Sequence, residues 1–253
     1  KGEINQALNI VANDEKLKAN LSVIKNYSNF SSDNFDELRS SMASDLNLAS
    51  RFIYSDFLII FDTSNKPVVF SGSSKLASSK ESFIGYYIGK NVYAKSLQVA
   101  DEYSQQFKEY DVVDTFSQYV INDTNKDVIS IFDYKHNLVM GIKKEILTSD
   151  GQILGTIGVF KLIDSEFLSK VQSIKDVHII AKYNNILYGL PDELASSEKK
   201  IQQSILGESG SINIEEIELN VTEKELYNEL SIVYLTNFRS EEHTSELQSR
   251  QVI

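Results

Sequence analysis

The stretch from Leu138 to Val171 constrains the fold of this 253-residue chain more than any other part of it. Leu138, Met140 and Ile142 alternate with other residues, which predicts a β-strand that continues to about Leu147. Asp150-Gly151 then favours a tight turn, and the apolar run from Ile153 to Ile163 predicts a second strand. Asp164 is a predicted N-cap for the helix that follows. The order strand, turn, strand, helix is typical of the closing part of an antiparallel-sheet domain.

Two further hairpin patterns precede and follow this stretch. The apolar run from Phe57 to Phe61, an Asp-rich turn and the run from Pro67 to Phe70 predict a hairpin that opens a sheet. Val177 to Ala181, an Asn-Asn turn and Ile186 to Tyr188 repeat that order later in the chain. The sequence therefore predicts two α+β units in succession.

The N-terminal segment has the spacing of amphipathic helices. Apolar residues recur at steps of three and four from Glu3 to Tyr27, and their phase breaks at Asn13-Asp14. A second stripe, formed by Phe35, Leu38, Met42 and Leu46, predicts another helix. The two helices are expected to pack beside the first sheet.

The interval from Gly72 to Asp127 gives the weakest pattern. Apolar spacing there predicts a helix from about Asn91 to Glu109, and we expect helices and long loops in this interval rather than sheet. Six tyrosines lie in it: Tyr86, Tyr87, Tyr93, Tyr103, Tyr110 and Tyr119. A tyrosine ring buries apolar area while its hydroxyl can bond a ligand or water, so this interval is a candidate wall of a pocket.

The end of the chain differs in character from the rest. Residues 239–250, RSEEHTSELQSR, show no apolar period and no capping pattern, and they resemble the in-frame translation of a sequencing-library adapter. Residues 239–253 are therefore set apart as a non-native tail, and His243 with its acidic neighbours is not interpreted as a metal site. The native protein is expected to continue beyond about Phe238.

These patterns together resemble the double-Cache sensory domains of bacterial receptors, in which a leading helix precedes two PAS-like antiparallel-sheet units. The resemblance implies N-terminal signalling helices in residues 1–50, a membrane-distal unit in 51–164 and a membrane-proximal unit in 165–238. The second unit is expected to be incomplete, because a strand like Ile153 to Ile163 would fall where the adapter-like tail begins.

Family membership would also imply a function and a location. The chain is expected to be the periplasmic or extracellular sensor of a histidine kinase, diguanylate cyclase or chemoreceptor in the bacterial inner membrane, held by flanking transmembrane helices. It would bind a small molecule in the membrane-distal unit, dimerise through the N-terminal helix, and not itself be an enzyme. Two alternatives remain open: a soluble α+β enzyme with an active site in the tyrosine-rich 86–134 region, and a secreted interaction protein.

Composition excludes several other classes. The net charge of -11, with no more than two basic residues adjacent, disfavours a nucleic-acid partner. The chain has no cysteine, and no apolar run approaches the ~20 residues that span a bilayer. No phosphate-binding loop, nucleophile elbow or zinc-protease motif occurs, so the sequence indicates no catalytic residue, no cofactor and no metal.

Charged and aromatic residues of the first unit suggest where a ligand would bind. Arg51 or Lys143 could hold a carboxylate, whereas Asp56 or Asp133 could receive an amine, so amino acid, amine and carboxylate ligands all remain open. The candidate ligand-binding residues are Arg51, Tyr54, Asp56, Tyr86, Tyr87, Tyr134 and Lys143.

Overall fold

The computed structural model of the chain forms two compact units. It describes residues 8–27, 35–53, 55–72, 82–89, 91–97, 106–110, 129–171, 177–205, 211–214, 217–227 and 229–237. The first unit consists of Lys1–Phe132 and Val139–Leu162, and the second of Asp133–Leu138 and Ile163–Ile253. The helices that the sequence sets apart as residues 1–50 therefore cluster with the first unit. The adapter-like tail lies outside the described residues.

Two helices precede the first sheet, as predicted. Residues 8–12 are helical, the helix breaks at Asn13-Asp14, and α1 runs over Glu15–Tyr27. The Asp14 carboxylate caps α1 by accepting a hydrogen bond from the Leu17 amide at 2.7 Å. Helix α2, Asp36–Ile53, carries two acidic residues in its first turn, where their negative charges interact favourably with the positive end of the helix dipole.

The larger sheet has eight strands among the described residues. They are β1 Phe57–Phe61, β2 Pro67–Gly72, β3 Phe83–Ile88, β4 Asn91–Ser96, β5 Lys108–Tyr110, β6 Ser130–Tyr134, β7 Asn137–Leu147 and β8 Ile153–Leu162. Their order in space is β5-β4-β3-β2-β1-β8-β7-β6. Two meanders are thus joined where β1 pairs antiparallel with β8.

The two faces of this sheet have different neighbours because successive strand residues point to opposite sides. Leu58 and Ile60 of β1 form one core with buried residues of both helices, and we call this side the helix face. Phe57, Ile59 and Phe61 point to the opposite side, which we call the far face. All five residues of β1 are buried, so both faces are covered.

Tight turns join neighbouring strands of the first unit. Gly151 has a φ of +83° in the turn between β7 and β8, and Lys135 and His136 have φ values of +51° and +63° between β6 and β7. The carboxylate of Asp62 accepts hydrogen bonds from the amides of Ser64 and Lys66, both at 2.8 Å, which stabilises the turn between β1 and β2. The predicted hairpins of the first unit are confirmed.

The expectation of helices and loops rather than sheet between residues 72 and 127 is wrong. Strands β3, β4 and β5 lie in this interval, and β4 starts at Asn91, where the apolar spacing predicted a helix. The aromatic and β-branched residues of β3 and β4 have high strand propensity, and Gly89 supplies the positive φ of +61° that their hairpin needs. Cross-strand pairing outweighs the helix-like spacing.

The second unit begins with a short helix, α3, over Ser165–Val171. Its predicted cap is confirmed, since the Asp164 carboxylate accepts a hydrogen bond from the Phe167 amide at 2.8 Å. The elements that follow are β9 Val177–Tyr183, β10 Ile186–Tyr188, a 3-10 helix Asp192–Ser197, α4 Glu198–Gln203, β11 Ser211–Ile214, β12 Ile217–Tyr227 and β13 Leu230–Asn237. Ile201 of α4 packs with Ile180 and Val233 of the sheet in one buried core.

The expectation that the second unit lacks its final strand is also wrong. Its sheet order is β10-β9-β13-β12-β11, which matches the order β2-β1-β8-β7-β6 of the first unit. Strand β13 therefore occupies the position that β8 occupies in the larger sheet. The chain reverses between Ile214 and Ile217, so that three strands follow α4 among the described residues.

The fold is thus α+β with two antiparallel sheets, as predicted. None of the helices in the described part of the chain is long and apolar enough to cross a membrane.

We predict that Gly155→Ala lowers the free energy of unfolding by about 1–3 kcal/mol, the usual cost of inserting atoms into a packed core. A Cβ on Gly155 would lie 2.3 Å from the carbonyl oxygen of Phe61, so β1 and β8 would have to separate. Urea denaturation followed by circular dichroism measures the change. Ser149→Ala, in the exposed turn of the same hairpin, is the control, and equal stability of the two variants would contradict the prediction.

Candidate functional site

Phenylalanine rings lie over glycines on the far face of the first unit. Each ring belongs to a residue that is paired directly with a glycine of the neighbouring strand: Phe57 with Gly72, Phe70 with Gly85, and Phe160 with Gly141. A Cβ added to these glycines would approach the ring at 2.7, 2.6 and 2.4 Å, respectively. The rings therefore occupy the space above the glycines and lie along the sheet rather than standing away from it.

The rings form a connected aromatic surface. Phe57 and Phe70 stack with centroids 5.8 Å apart and an interplanar angle of 8°. Phe70 also contacts Tyr87 at a centroid distance of 5.6 Å. Apolar rings of this kind can hold the flat or apolar part of a ligand.

Lys143 brings a positive charge to the far face of the sheet. Lys143 lies on β7 and pairs with Gly158 of β8, which in turn pairs with Ile59 of β1. The Lys143 ammonium lies 4.7 Å from the ring centroid of Phe61, so the side chain crosses β8 to reach β1. Only 3% of Lys143 is exposed. An ammonium over a ring is stabilised by the cation–π interaction and retains N–H donors for other acceptors.

The adjacent residue, Lys144, points to the helix face. Its ammonium donates a hydrogen bond to the side-chain oxygen of Asn9, in the helical segment before α1. Alternation along β7 therefore separates two neighbouring lysines, one beside the aromatic surface and one beside the helix.

The structure places two of the predicted ligand residues, Tyr87 and Lys143, on the far face. Tyr86 lies on the helix face, where its ring stacks on Tyr93 at 5.4 Å and contacts Phe107 at 5.1 Å. Burial, with a smaller effect of the nearby Asp36 charge, raises the pKa of the Tyr86 hydroxyl. Arg51 is exposed in the last turn of α2. Tyr86 and Arg51 are therefore not gathered with Lys143.

Asp56 has a structural role at the start of β1. Its carboxylate accepts a hydrogen bond from the Leu162 amide at 2.9 Å and forms an ion pair with Lys161 at 2.9 Å. Its own amide donates to the Phe160 carbonyl at 3.0 Å. These bonds fasten the start of β1 to the end of β8, so this carboxylate is already engaged by the sheet.

The remaining predicted ligand residues lie elsewhere. Tyr54 is outside the described residues. Tyr134 is buried in the hairpin tip that clusters with the second unit, and the Lys135 ammonium lies 5.2 Å from its ring centroid. Their role in ligand binding stays a prediction.

Sequence reasoning missed Phe57, Phe61 and Phe70, which lie on the far face. The pairing of Phe57 with Gly72 and that of Phe160 with Gly141 each lie within a predicted hairpin and could have been noticed from the sequence. The pairing of Phe70 with Gly85 depends on strand β3, which was not predicted.

A polar cluster lies on the sheet of the second unit. The Lys182 ammonium contacts both carboxylate oxygens of Glu223, at 2.7 and 2.9 Å. Partial burial alone raises the pKa of the Glu223 carboxyl, but hydrogen bonds from Lys182 and Ser231 outweigh it, so this pKa lies below its ordinary value. The cluster is an internally neutralised ion pair.

Another buried polar contact in the second unit joins Tyr188 to the hairpin tip. The Tyr188 hydroxyl donates a hydrogen bond to the Asp133 carboxylate. Burial, followed by this bond, raises the pKa of Tyr188 above its ordinary value. The contact stabilises the second unit. Among the described residues, no group of three or more His, Asp or Glu side chains is arranged to hold a metal ion.

We predict that Glu223→Gln lowers the free energy of unfolding at pH 7 by about 0.5–1 kcal/mol, as for partly exposed ion pairs. Because the folded-state pKa of Glu223 is lowered, this stabilisation is present above the unfolded-state pKa of about 4.3 and is lost as pH falls through the lower folded value. Urea denaturation at several pH values measures it. Glu225→Gln is the control on the same strand, and a pH-independent difference would contradict the assignment.

No family model and no curated protein matches the chain. The Vibrio cholerae LuxQ periplasmic domain matches with a TM-score of 0.51 and 11% identity, over 93% of this chain and 92% of that chain.

Two sensory domains match more weakly. The V. cholerae histidine kinase DctB sensor domain has a TM-score of 0.41 and 9% identity, over 91% and 87% of the two chains. The Campylobacter jejuni chemoreceptor Tlp3 sensory domain has a TM-score of 0.39 and 10% identity, over 93% and 97%. The fold of this chain is that of the LuxQ periplasmic domain, and the resemblance to double-Cache sensory domains is confirmed at the level of the fold.

Proposed function

We propose that this chain is the extracytoplasmic ligand-sensing domain of a bacterial receptor, and that it binds a small molecule on the far face of its first unit. The receptor would be a histidine kinase, a diguanylate cyclase or a chemoreceptor. The observation that carries the proposal is the Lys143 ammonium, buried beside an aromatic surface on the face opposite the helices.

The energetics of burial support a functional role for Lys143. Removing an ammonium from water costs free energy, and an apolar side chain of similar volume would satisfy the packing with less cost. A buried charge placed among rings is therefore a functional-site candidate with a physical reason. Lys143 would bind an anionic or polar group of the ligand, and the rings of Phe57, Phe70 and Tyr87 would hold its apolar part.

The same strand offers a route from the site to the helices. Lys143 faces the aromatic surface and Lys144 bonds to Asn9 beside α1. The Lys25 ammonium of α1 also donates to the Ile153 carbonyl of β8 at 3.1 Å. A ligand that binds one arrangement of these strands more tightly would increase the population of molecules in that arrangement. Because the strands contact α1 and the segment before it, the positions of the helices would change as well, and this change would be the signal.

We further propose that two copies associate through the N-terminal helical segment, with flanking transmembrane helices anchoring them in the bacterial inner membrane. Ile10 is 69% exposed and Val23 is 37% exposed on this segment. Large apolar side chains on a helix surface favour contact with another apolar surface. The domain itself would face the periplasm or the cell exterior.

An enzymatic role for the tyrosine-rich 86–134 region has little support. Among its described residues, Tyr86 and Tyr93 face the helices, whereas Tyr87 lies on the far face. These residues therefore do not converge on one site, and the proposal assigns no catalytic residue.

We predict that Lys143→Met abolishes the thermal stabilisation that the wild-type chain shows with its ligand, in a screen of amino acids, amines and carboxylates. Methionine keeps an unbranched side chain but removes the charge that would bind the ligand. Lys144→Met is the matched control and should keep the ligand-dependent shift. A ligand that stabilises both variants equally would place the site elsewhere.

We predict that the double variant Ile10→Ser, Val23→Ser weakens the dimer at least about tenfold, since tenfold is about 1.4 kcal/mol and burying one isoleucine is worth more. Sedimentation equilibrium measures the association. Leu226→Ser, which removes a 53% exposed leucine on β12, is the control. Equal association of all three proteins would argue against an interface on the N-terminal segment.

A further inference from the structure

One half of strand β12 has a neighbouring strand on only one side. Among the described residues, β11 pairs with β12 only from Ile217 to Asn220, whereas β13 pairs with it from Leu219 to Tyr227. Residues 221–227 therefore form an edge of the second sheet, with no described strand beside them. At about 3.3 Å per residue this edge is about 23 Å long, which is enough for a strand of ordinary length.

The main chain of this edge is open to solvent. All five of residues 222–226 are exposed. Glu223 is exposed as a residue although only 27% of its side chain is, so its main-chain atoms must contribute to the exposure. Alternate residues of an antiparallel strand direct their amide and carbonyl groups to each side. The edge therefore presents hydrogen-bonding groups to an incoming strand.

The corresponding stretch of the first sheet is not exposed. Strand β7 has the position in that sheet that β12 has in the second. None of residues 142–146 of β7 is exposed, and Ile142, Lys143 and Ile146 are buried. The exposure is therefore a property of the β12 edge and does not follow from the strand order.

The side chains along the edge argue against its pairing with a second copy of the chain. If two copies paired antiparallel about a two-fold axis centred on residue 223, 224 or 225, each centre would place Glu opposite Glu or Lys opposite Lys. Like charges directly opposite each other are destabilising, and charges on an edge strand protect against such self-association. They do not oppose a strand of complementary charge.

We propose that the edge formed by residues 221–227 of β12 binds an extended segment of a protein partner, which adds to the second sheet as a further strand. In this mode of recognition the main-chain hydrogen bonds provide affinity and the side chains provide specificity. The inference goes beyond the proposed function, because it concerns the second unit and a protein partner rather than a small ligand of the first unit.

The exposed side chains define the chemistry of the partner. Its segment carries a basic residue opposite Glu225, an acidic residue opposite Lys224 and an apolar residue beside Leu226, which is 53% exposed. A second basic residue lies opposite Glu223, whose carboxylate also contacts Lys182 across β13. The pattern of the segment is therefore basic, acidic, basic, with an apolar neighbour.

The test is an NMR titration of the whole chain with three peptides. The first, Thr-Val-Lys-Glu-Lys-Val-Thr, has the proposed pattern, and the second has glutamate in place of both lysines. The third is the first peptide with N-methylated amides, which keeps the side chains but cannot donate main-chain hydrogen bonds. We expect the first peptide to bind at least about fivefold more tightly than either of the others. Its binding should slow the hydrogen exchange of alternate amides in residues 221–227.

Two variants of the chain separate the edge from the overall charge. Glu225→Lys should weaken binding of the first peptide about fivefold and strengthen binding of the glutamate peptide, because it reverses a charge on the edge. Glu229→Lys, in the exposed turn after β12, makes the same change in net charge and is the matched control. It should leave both affinities within about twofold of the wild-type values, since exposed charges are screened by salt.

Each contrary result contradicts a stated part of the proposal. Equal binding of the first and the N-methylated peptides would overturn strand addition. Equal binding of the lysine and glutamate peptides, or equal effects of the two variants, would overturn the charge pattern of the partner. Slowing of the same amides with rising protein concentration and no peptide would identify a second copy as the occupant and overturn the proposal. Absence of binding by all three peptides, in a chain whose NMR spectrum shows it folded, would also overturn it.

Discussion

The antiparallel pairing of β1 with β8 is the constraint on which the first unit depends. It joins two meanders that are far apart in sequence, and it fixes the register from Phe57 opposite Phe160 to Phe61 opposite Thr156. Asp56 fastens one end of this pairing through the amide of Leu162. If the register between β1 and β8 slipped by one residue, every side chain of the slipped strand would move to the opposite face of the sheet. The apolar side chains that pack on the helices and the rings on the far face would then both be misplaced.

The period of two along a strand also gives neighbouring residues of β7 different surroundings. Lys143 and Lys144 are neighbours in sequence, yet the first contacts Phe61 on the far face and the second contacts Asn9 on the helix face. Glycines make room for the rings on the far face. The ring of Phe160 lies over Gly141, which has no side chain, and can therefore lie along the sheet.

Local chemistry determined how much of the fold could be predicted. The helix break at Asn13-Asp14, the cap at Asp164 and the turn at Gly151 were predicted because each depends on a few adjacent residues. The helix predicted from Asn91 failed because strand pairing with β3, which apolar spacing does not report, decides its conformation. The site was only partly predicted: Lys143 and Tyr87 were identified, but their grouping with Phe57, Phe61 and Phe70 depends on a register set by distant strands.

The two units place different side chains in the same diagonal contact. Within each unit, one side chain crosses the middle strand of three and reaches the strand beyond it. In the second unit the Glu223 carboxylate reaches the Lys182 ammonium, and in the first unit the Lys143 ammonium reaches the ring of Phe61. The shared strand order therefore allows the contact in both units, whereas the side chains at these positions decide its chemistry.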